Sequence, residues 1–331
     1  MKNAIVKYKQ ILFLSLFAVL SFFVLIEGIS YNNFKSAYST SPAPLPFTSS
    51  NLSLQDNNQS KMQSQTNNTQ KIKVGDIDIA YKKFGKGDPI LLIPGFAMTM
   101  EEWGPIKDKL AENHTVIIFD NRGIGKTTAG NHPFSLEQFA NDTAGLIDAL
   151  KIDKPVDIVG LSLGGFIGQE VALLHPEKVN HLILIGSSCG GKESLPPQLT
   201  PEELQKMQTG TANSTLFLHA LFPDEWLKEN INNISKNITF FQGISQESLL
   251  KYGEAGAKWK GTCISLTNIE KPVLVMTGAE DITSPPINSL KLAEKIPGAW
   301  LIQIKGGGHG VTYQYPEKVS KILETFLSTT P

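Results

Sequence analysis

Ser162 sits in Gly160-Leu161-Ser162-Leu163-Gly164, behind the apolar, β-branched run Val156–Val159 and ahead of a helix-like segment. This is a G-x-S-x-G pattern in a strand–turn–helix context, the arrangement that lifts a serine hydroxyl to the top of a sheet. So sharp a turn strains the serine backbone and leaves little room for side chains two residues away, which Gly160 and Gly164 satisfy as the structural elbow. The N–H groups that follow open a helix and favour developing negative charge. A solvated serine in a glycine-rich turn would look the same in isolation, so the reading depends on what else the chain supplies.

A serine hydroxyl attacks a carbonyl only with a base to take its proton and a carboxylate to orient that base. In open parallel sheets such groups collect beyond the carboxyl ends of strands. Of six histidines, His114 and His181 precede or begin strands, His175 ends a helix in Leu-His-Pro, His132 lies on a loop, and His219 lies in a helical insertion. His309 follows the last strand in Lys305-Gly-Gly-Gly-His-Gly310 and is the candidate base. Asp281, in Thr277-Gly-Ala-Glu-Asp281-Ile-Thr-Ser-Pro285 after the run Val273–Met276, is the candidate acid. The chain order Ser162…Asp281…His309 differs from the two other serine-triad orders. Two amides complete the set as oxyanion donors: that of Leu163, and that of Phe96 in Pro94-Gly95-Phe96-Ala97, where Gly95 permits close backbone approach.

The elements that must position these residues begin at residue 71. Ile72–Phe84 alternates as a hairpin with Gly75-Asp76 at its turn. Apolar runs at Ile90–Ile93, Val116–Phe119, Val156–Val159, Leu182–Ile185, Val273–Met276 and Trp300–Ile304 are each expected to be strands buried on both faces. Helical patterns at 102–112, 136–149, 165–175, 285–296 and 316–328 alternate with them, giving an α/β fold with a mostly parallel sheet covered on both sides. Residues 190–268 break this rhythm and are read as an inserted helical lid, with pieces near Pro201–Met207 and Leu216–Leu227.

At this point the chain resembles the α/β-hydrolase superfamily from about residue 72 to 328. The resemblance rests on Pro94-Gly95-Phe96, Asp120-Asn-Arg-Gly-Ile-Gly-Lys-Thr127, Gly160–Gly165, Gly278…Asp281…Pro285 and Gly308-His309-Gly310. Residues Gly160–Gln169, followed by Leu173–Val179, look most like the small esterase and enol-lactonase branch. The resemblance implies a serine hydrolase with a lid inserted after the sixth strand. Where many relatives carry His-Gly, this chain has Pro94-Gly95, so any role of that histidine side chain is lost. Lactonase, aminopeptidase and C–C bond hydrolase activities share the same triad, and a non-catalytic binding protein shares the same fold.

For the substrate pocket, Met98 and Trp103 near the oxyanion loop and Phe217, Phe222 and Trp226 in the insertion are candidates, with a small insertion core as the competing account of these aromatics. The expected substrate is a small, apolar ester or acyl compound, with no cofactor and no metal. Gly123-Ile-Gly125-Lys126-Thr127 is not a phosphate loop, because Asp120 stands where that motif needs glycine.

Composition sets the outer bounds. The 331 residues are 41% hydrophobic and 18% charged with a net charge of −1, enough for a real core and without the basic stripe a nucleic-acid partner needs. Lys2, Lys7 and Lys9 precede an uncharged run from Ile11 to Ile26, so residues 1–30 are expected to be a signal peptide or membrane anchor that places the rest outside the cytoplasm. Residues 31–70, rich in Ser, Asn and Gln, are expected to be a disordered polar linker to a hydrolase domain at 71–331. Cys189 and Cys263, near the ends of the insertion, are the only cysteines; export permits a disulfide between them, and two buried thiols are the alternative. Oligomeric state has no signature in the sequence.

Overall fold

The computed structural model describes residues 68–209, 212–237 and 244–330. The signal peptide or anchor expected at 1–30, and the linker expected at 31–70 except for its last residues, lie outside the described residues. The hairpin forms as β1 (Gln70–Val74) and β2 (Ile77–Phe84), joined at Gly75-Asp76. There follow β3 (Asp88–Ile93), a 3-10 turn at Met100–Trp103, α1 (Gly104–Leu110), β4 (His114–Phe119), α2 (Leu136–Ala149), β5 (Val156–Leu161), α3 (Leu163–Leu174) and β6 (Val179–Ile185). Helices α4 (Pro201–Thr209), α5 (Ser214–Leu221), α6 (Asp224–Asn237) and α7 (Gln246–Lys258) come next. The chain then returns as β7 (Val273–Gly278), α8 (Pro286–Lys295), β8 (Trp300–Ile304), α9 (Val311–Gln314) and α10 (Pro316–Thr329).

The eight strands form one sheet in the order β1-β2-β4-β3-β5-β6-β7-β8. Pairings β1–β2 and β2–β4 are antiparallel, and every pairing from β4 to β8 is parallel. Alternate residues of a strand face opposite sides. Leu91, Ile93, Ile117 and Ile158 accordingly join the cluster under α2, α3 and α8, while Ile90, Leu92, Ile118 and Val159 join the one under α1 and α10. Burial on both faces is why these strands read as continuous apolar runs rather than alternations.

Three expectations need correction. Trp300–Ile304 is the edge strand, not one buried on both faces: Trp300 is 40% and Leu301 41% exposed. A run of apolar letters carries no information on strand order. The single helix expected over Leu216–Leu227 is two, because Pro223 lacks an N–H and turns Phe222 extended (φ −132°, ψ 140°). Helix α7 was not expected; Ser245 caps it by accepting the Ser248 N–H at 3.1 Å, and Tyr252 and Ala255 form its buried face.

Candidate active site

The turn after β5 holds Ser162 at φ 54°, ψ −115°, a conformation costly to any residue with a side chain. Its surroundings maintain it. The Ser162 N–H donates to Ile185 O at 2.8 Å, and the Ser187 hydroxyl donates to Ser162 O at 3.0 Å. A Cβ on Gly160 would lie 2.2 Å from Gly164 O, and one on Gly164 would lie 2.0 Å from Ile93 O. Both elbow glycines are therefore required by backbone contact.

Parallel register carries the other residues to the same edge. Leu161 pairs with Ile185, Ile185 with Met276, and Gly278 with Ile304. Beyond these pairs, Asp281 Oδ2 and His309 Nδ1 lie 2.8 Å apart, with both residues buried. Asp281 Oδ1 accepts the N–H groups of Thr283 (2.9 Å) and Ser284 (2.7 Å), so the carboxylate cannot swing. With Nδ1 donating to Asp281, Nε2 is the ring nitrogen left for proton transfer. Glycines around His309 again have packing reasons: a Cβ on Gly308 would sit 2.6 Å from Leu221 O, and one on Gly278 at the end of β7 would sit 2.2 Å from Gly307 O. Gly308 N–H donates to Gln314 Oε1 at 2.6 Å, which fixes the loop from its far side.

The other histidines are engaged elsewhere. His181 meets Asp157 at 2.7 Å, His114 meets Glu324 at 3.2 Å, His175 meets Asn141 at 2.8 Å and His219 meets Asp224 at 2.9 Å. His132 lies 3.6 Å from Asp76.

The loop after β3 comes up beside the elbow: a Cβ on Gly95 would lie 3.6 Å from Ser162 Cβ and 3.3 Å from Met98 Sδ. Among the described residues, neither the Phe96 nor the Leu163 amide donates to a protein acceptor. Gly95 N–H donates to Glu102 Oε2 at 2.8 Å. Glu102 is buried, which pushes its carboxyl up to about 8 despite the Gly95 N–H.

Of the pocket candidates, Met98 is buried at this loop, and Trp103 has no exposed surface and belongs to the core beneath it. Phe222 and Trp226 stack with ring centroids 4.9 Å apart, and Phe217 is half-buried on α5. A cavity of about 280 Å³ lies at the α5–α6 junction, where Leu221, Phe222 and Pro223 face Glu280 and Ile282 on either side of Asp281.

The insertion is fastened to the sheet near Ser162. Cys189 and Cys263 form a disulfide with Cα atoms 4.9 Å apart. Gln169 of α3 donates to Ser188 O at 3.0 Å and accepts the Thr262 hydroxyl at 2.6 Å. The Trp259 indole donates to Glu170 at 2.6 Å; burial raises the Glu170 carboxyl above the usual range and this bond opposes the shift.

Sequence reasoning missed Gly186, Glu102, Gln169 and Arg122. Arg122 is fully buried and donates to Asp142 at 2.7 Å and to Asp76 at 2.8 Å, tying the loop after β4 to α2 and to the hairpin turn. Lys126 and Thr127, in the glycine-rich stretch dismissed as a phosphate loop, are bonded to Asp120. Among the described residues no group of His, Cys, Asp or Glu is placed to hold a metal ion, and no helix is long and apolar enough to cross a membrane.

A family model for the alpha/beta hydrolase fold matches residues 88–216, and a second, described as TAP-like protein, matches residues 257–331. The chain is 28% identical over 260 residues to a protein of Azorhizobium caulinodans designated a carbamate hydrolase, covering 76% of this chain and 96% of that one. It is 27% identical over 267 residues to the 2-hydroxy-6-oxo-6-(2'-aminophenyl)hexa-2,4-dienoic acid hydrolase of Metapseudomonas resinovorans, covering 78% and 90%. The crystal structure of the enol-lactonase from Burkholderia xenovorans LB400 superposes with a TM-score of 0.70 at 22% identity, covering 78% of this chain and all of that one. With its eight-stranded, mostly parallel sheet, helices on both faces and hydrolases as its relatives, the chain belongs to the α/β-hydrolase superfamily.

Proposed function

We propose that the protein is a cofactor-independent serine hydrolase that cleaves an ester or related acyl bond of a small, apolar substrate. The observation that carries this reading is the buried His309–Asp281 pair at the same sheet edge as the strained Ser162 turn. Ser162 Oγ attacks the carbonyl carbon while His309 Nε2 takes its proton. Asp281 holds the imidazole in that tautomer and offsets its positive charge. The amides of Leu163 and Phe96 take the negative charge on the carbonyl oxygen. His309 then protonates the leaving alkoxide, and water, deprotonated by the same nitrogen, releases the acyl group from Ser162. The resemblance to the esterase and enol-lactonase branch supports a small substrate and a carboxylesterase-like preference.

The protein is further proposed to act outside the cytoplasm, anchored through its N-terminal segment or released from it. The basic-then-apolar order of residues 2–26 supports this, as does a disulfide in the described domain. A panel of short acyl esters, lactones and carbamates, with Ser162→Ala as control, tests the activity. Turnover of an acyl ester that disappears in Ser162→Ala, with a fluorophosphonate labelling Ser162, is expected. Full activity in Ser162→Ala, or labelling elsewhere, would overturn it.

A further inference from the structure

Glu102 is an ionisable residue in core surroundings. It lies in the 3-10 turn after the Gly95 loop and is 2% exposed. Its Oε2 accepts the Gly95 N–H at 2.8 Å, and its own N–H donates to Thr99 O at 3.1 Å. Gly95 O accepts the Met98 N–H at 3.3 Å. Gly95 is thus held through both its donor and its acceptor, and the next peptide plane, which carries the Phe96 N–H, cannot rotate freely. The same glycine stands beside Ser162. A buried carboxyl is costly, and an amide or hydroxyl would accept the same N–H at less cost.

Burial favours the uncharged acid, and the neighbours do not reverse that. Tyr313 of α9 feels Glu102 and Glu101 and is itself pushed up, chiefly by burial. Glu101 pairs with Lys82 at 2.6 Å. Asp120, also raised chiefly by burial, accepts the N–H groups of Met100 (2.8 Å) and Lys126 (2.9 Å). Lys126 opposes the rise at Asp120.

We propose that Glu102 is a positioning residue that, through Gly95, holds the Phe96 amide toward the carbonyl oxygen attacked by Ser162. This rests on the serine-hydrolase reading above. The neutral acid orients the loop without adding charge. Once ionised, it places a negative charge behind the donor peptide, where it opposes the developing oxyanion.

The test uses the full chain, purified in detergent, with p-nitrophenyl butyrate as probe between about pH 6 and 10. Wild type is expected to lose kcat above about pH 8, where Glu102 ionises. Glu102→Gln keeps a neutral acceptor for Gly95, so its neutral-pH kcat stays within ~3-fold and the alkaline fall disappears. Glu102→Leu leaves the Gly95 N–H without an acceptor and lowers kcat by roughly 10- to 100-fold with little change in KM. The rate of fluorophosphonate labelling at Ser162 falls in parallel in the Leu variant. An alkaline fall retained by Glu102→Gln overturns the proposal, and this variant decides the matter if Glu102→Leu does not fold. If Ser162→Ala is inactive and the Gln profile matches wild type, Glu102 alone has been misread; if Ser162→Ala is active, the whole site has been.

Discussion

Gly310 donates its backbone N–H to the carbonyl of Leu221 at 2.7 Å, so the loop that carries His309 is bonded directly to the helical insertion. Thr283, two residues beyond Asp281, makes the matching contact by donating its hydroxyl to Ala220 O at 2.6 Å. The Phe222 ring lies so close to Gly310 that a Cβ there would sit 2.4 Å from Cε1. The insertion is therefore part of what holds Asp281 and His309 together.

Truncating the ring that backs the His309 loop should affect both stability and rate. Phe222→Ala removes a side chain only 2% exposed and is expected to cost about 3–5 kcal/mol. Urea unfolding measures that loss. Hydrogen exchange at residues 306–310 should rise and kcat should fall, whereas unchanged exchange would show that the ring does not restrain the loop.

Gly186→Ala tests the space beside Asp281 and His309. Gly186 has φ 53°, and an added Cβ would meet His309 Nδ1 at 3.1 Å and Asp281 Oδ2 at 3.2 Å. The alanine variant is expected to lose roughly 10- to 100-fold in kcat, since small misplacements of a catalytic group carry costs of that order. Steady-state kinetics alongside a melting curve separates this from unfolding.

Asp281→Asn retains the shape of the acid but presents the wrong partner to Nδ1. A drop in kcat of about 10⁴-fold is expected, with the fold intact by circular dichroism. Activity near wild type would remove Asp281 from the mechanism.

The disulfide closes a segment whose ends are 74 residues apart, and its contribution is expected to be about 4 kcal/mol. The double Cys→Ser variant should melt roughly 8–16 °C lower. Thiol titration before and after reduction checks the pairing independently.

Arg122 makes stability depend on acid. Its guanidinium holds the Asp76 carboxyl well below the usual range, chiefly through their hydrogen bond, with burial opposing. That stabilisation is present above ~pH 4, the ordinary aspartate range, and is lost as pH falls toward the depressed folded value. Arg122→Leu leaves buried Asp142 unpaired and should cost about 3–5 kcal/mol at neutral pH. Its urea midpoint should also fall less than that of wild type on acidification.

Most of the strands and the placement of Ser162, Asp281 and His309 at their ends were legible because both obey local rules. Leu182–Ile185 is apolar at every position since both faces are covered, and Val156–Val159 departs from this only at Asp157, which is paired with His181. Ser162, Asp281 and His309 each follow a strand of the parallel part of the sheet, at its carboxyl end. Glu102 left no trace in the sequence: its burial depends on the Gly95 loop folding back over it, a contact between segments whose spacing has no period. Gly186 was visible as a glycine after a strand, but only the register of β5, β6 and β7 shows which groups it faces. The break at Phe222-Pro223 was legible and was overridden by the apolar periodicity around it. Trp300 is exposed because β8 is last in the sheet, an order set by packing between elements.

The cross-link between Cys189 and Cys263 has a consequence for how this fold can change. The stems of the insertion are clamped four residues after β6 and ten before β7, so the approach of the two stems does not depend on what lies between the cysteines. Between the cysteines the chain can gain length at small cost, since lengthening a closed loop costs little, provided Trp259 and Thr262 keep their bonds to α3. An insertion that keeps the carbonyls of Ala220 and Leu221 in place would leave Asp281 and His309 where they are.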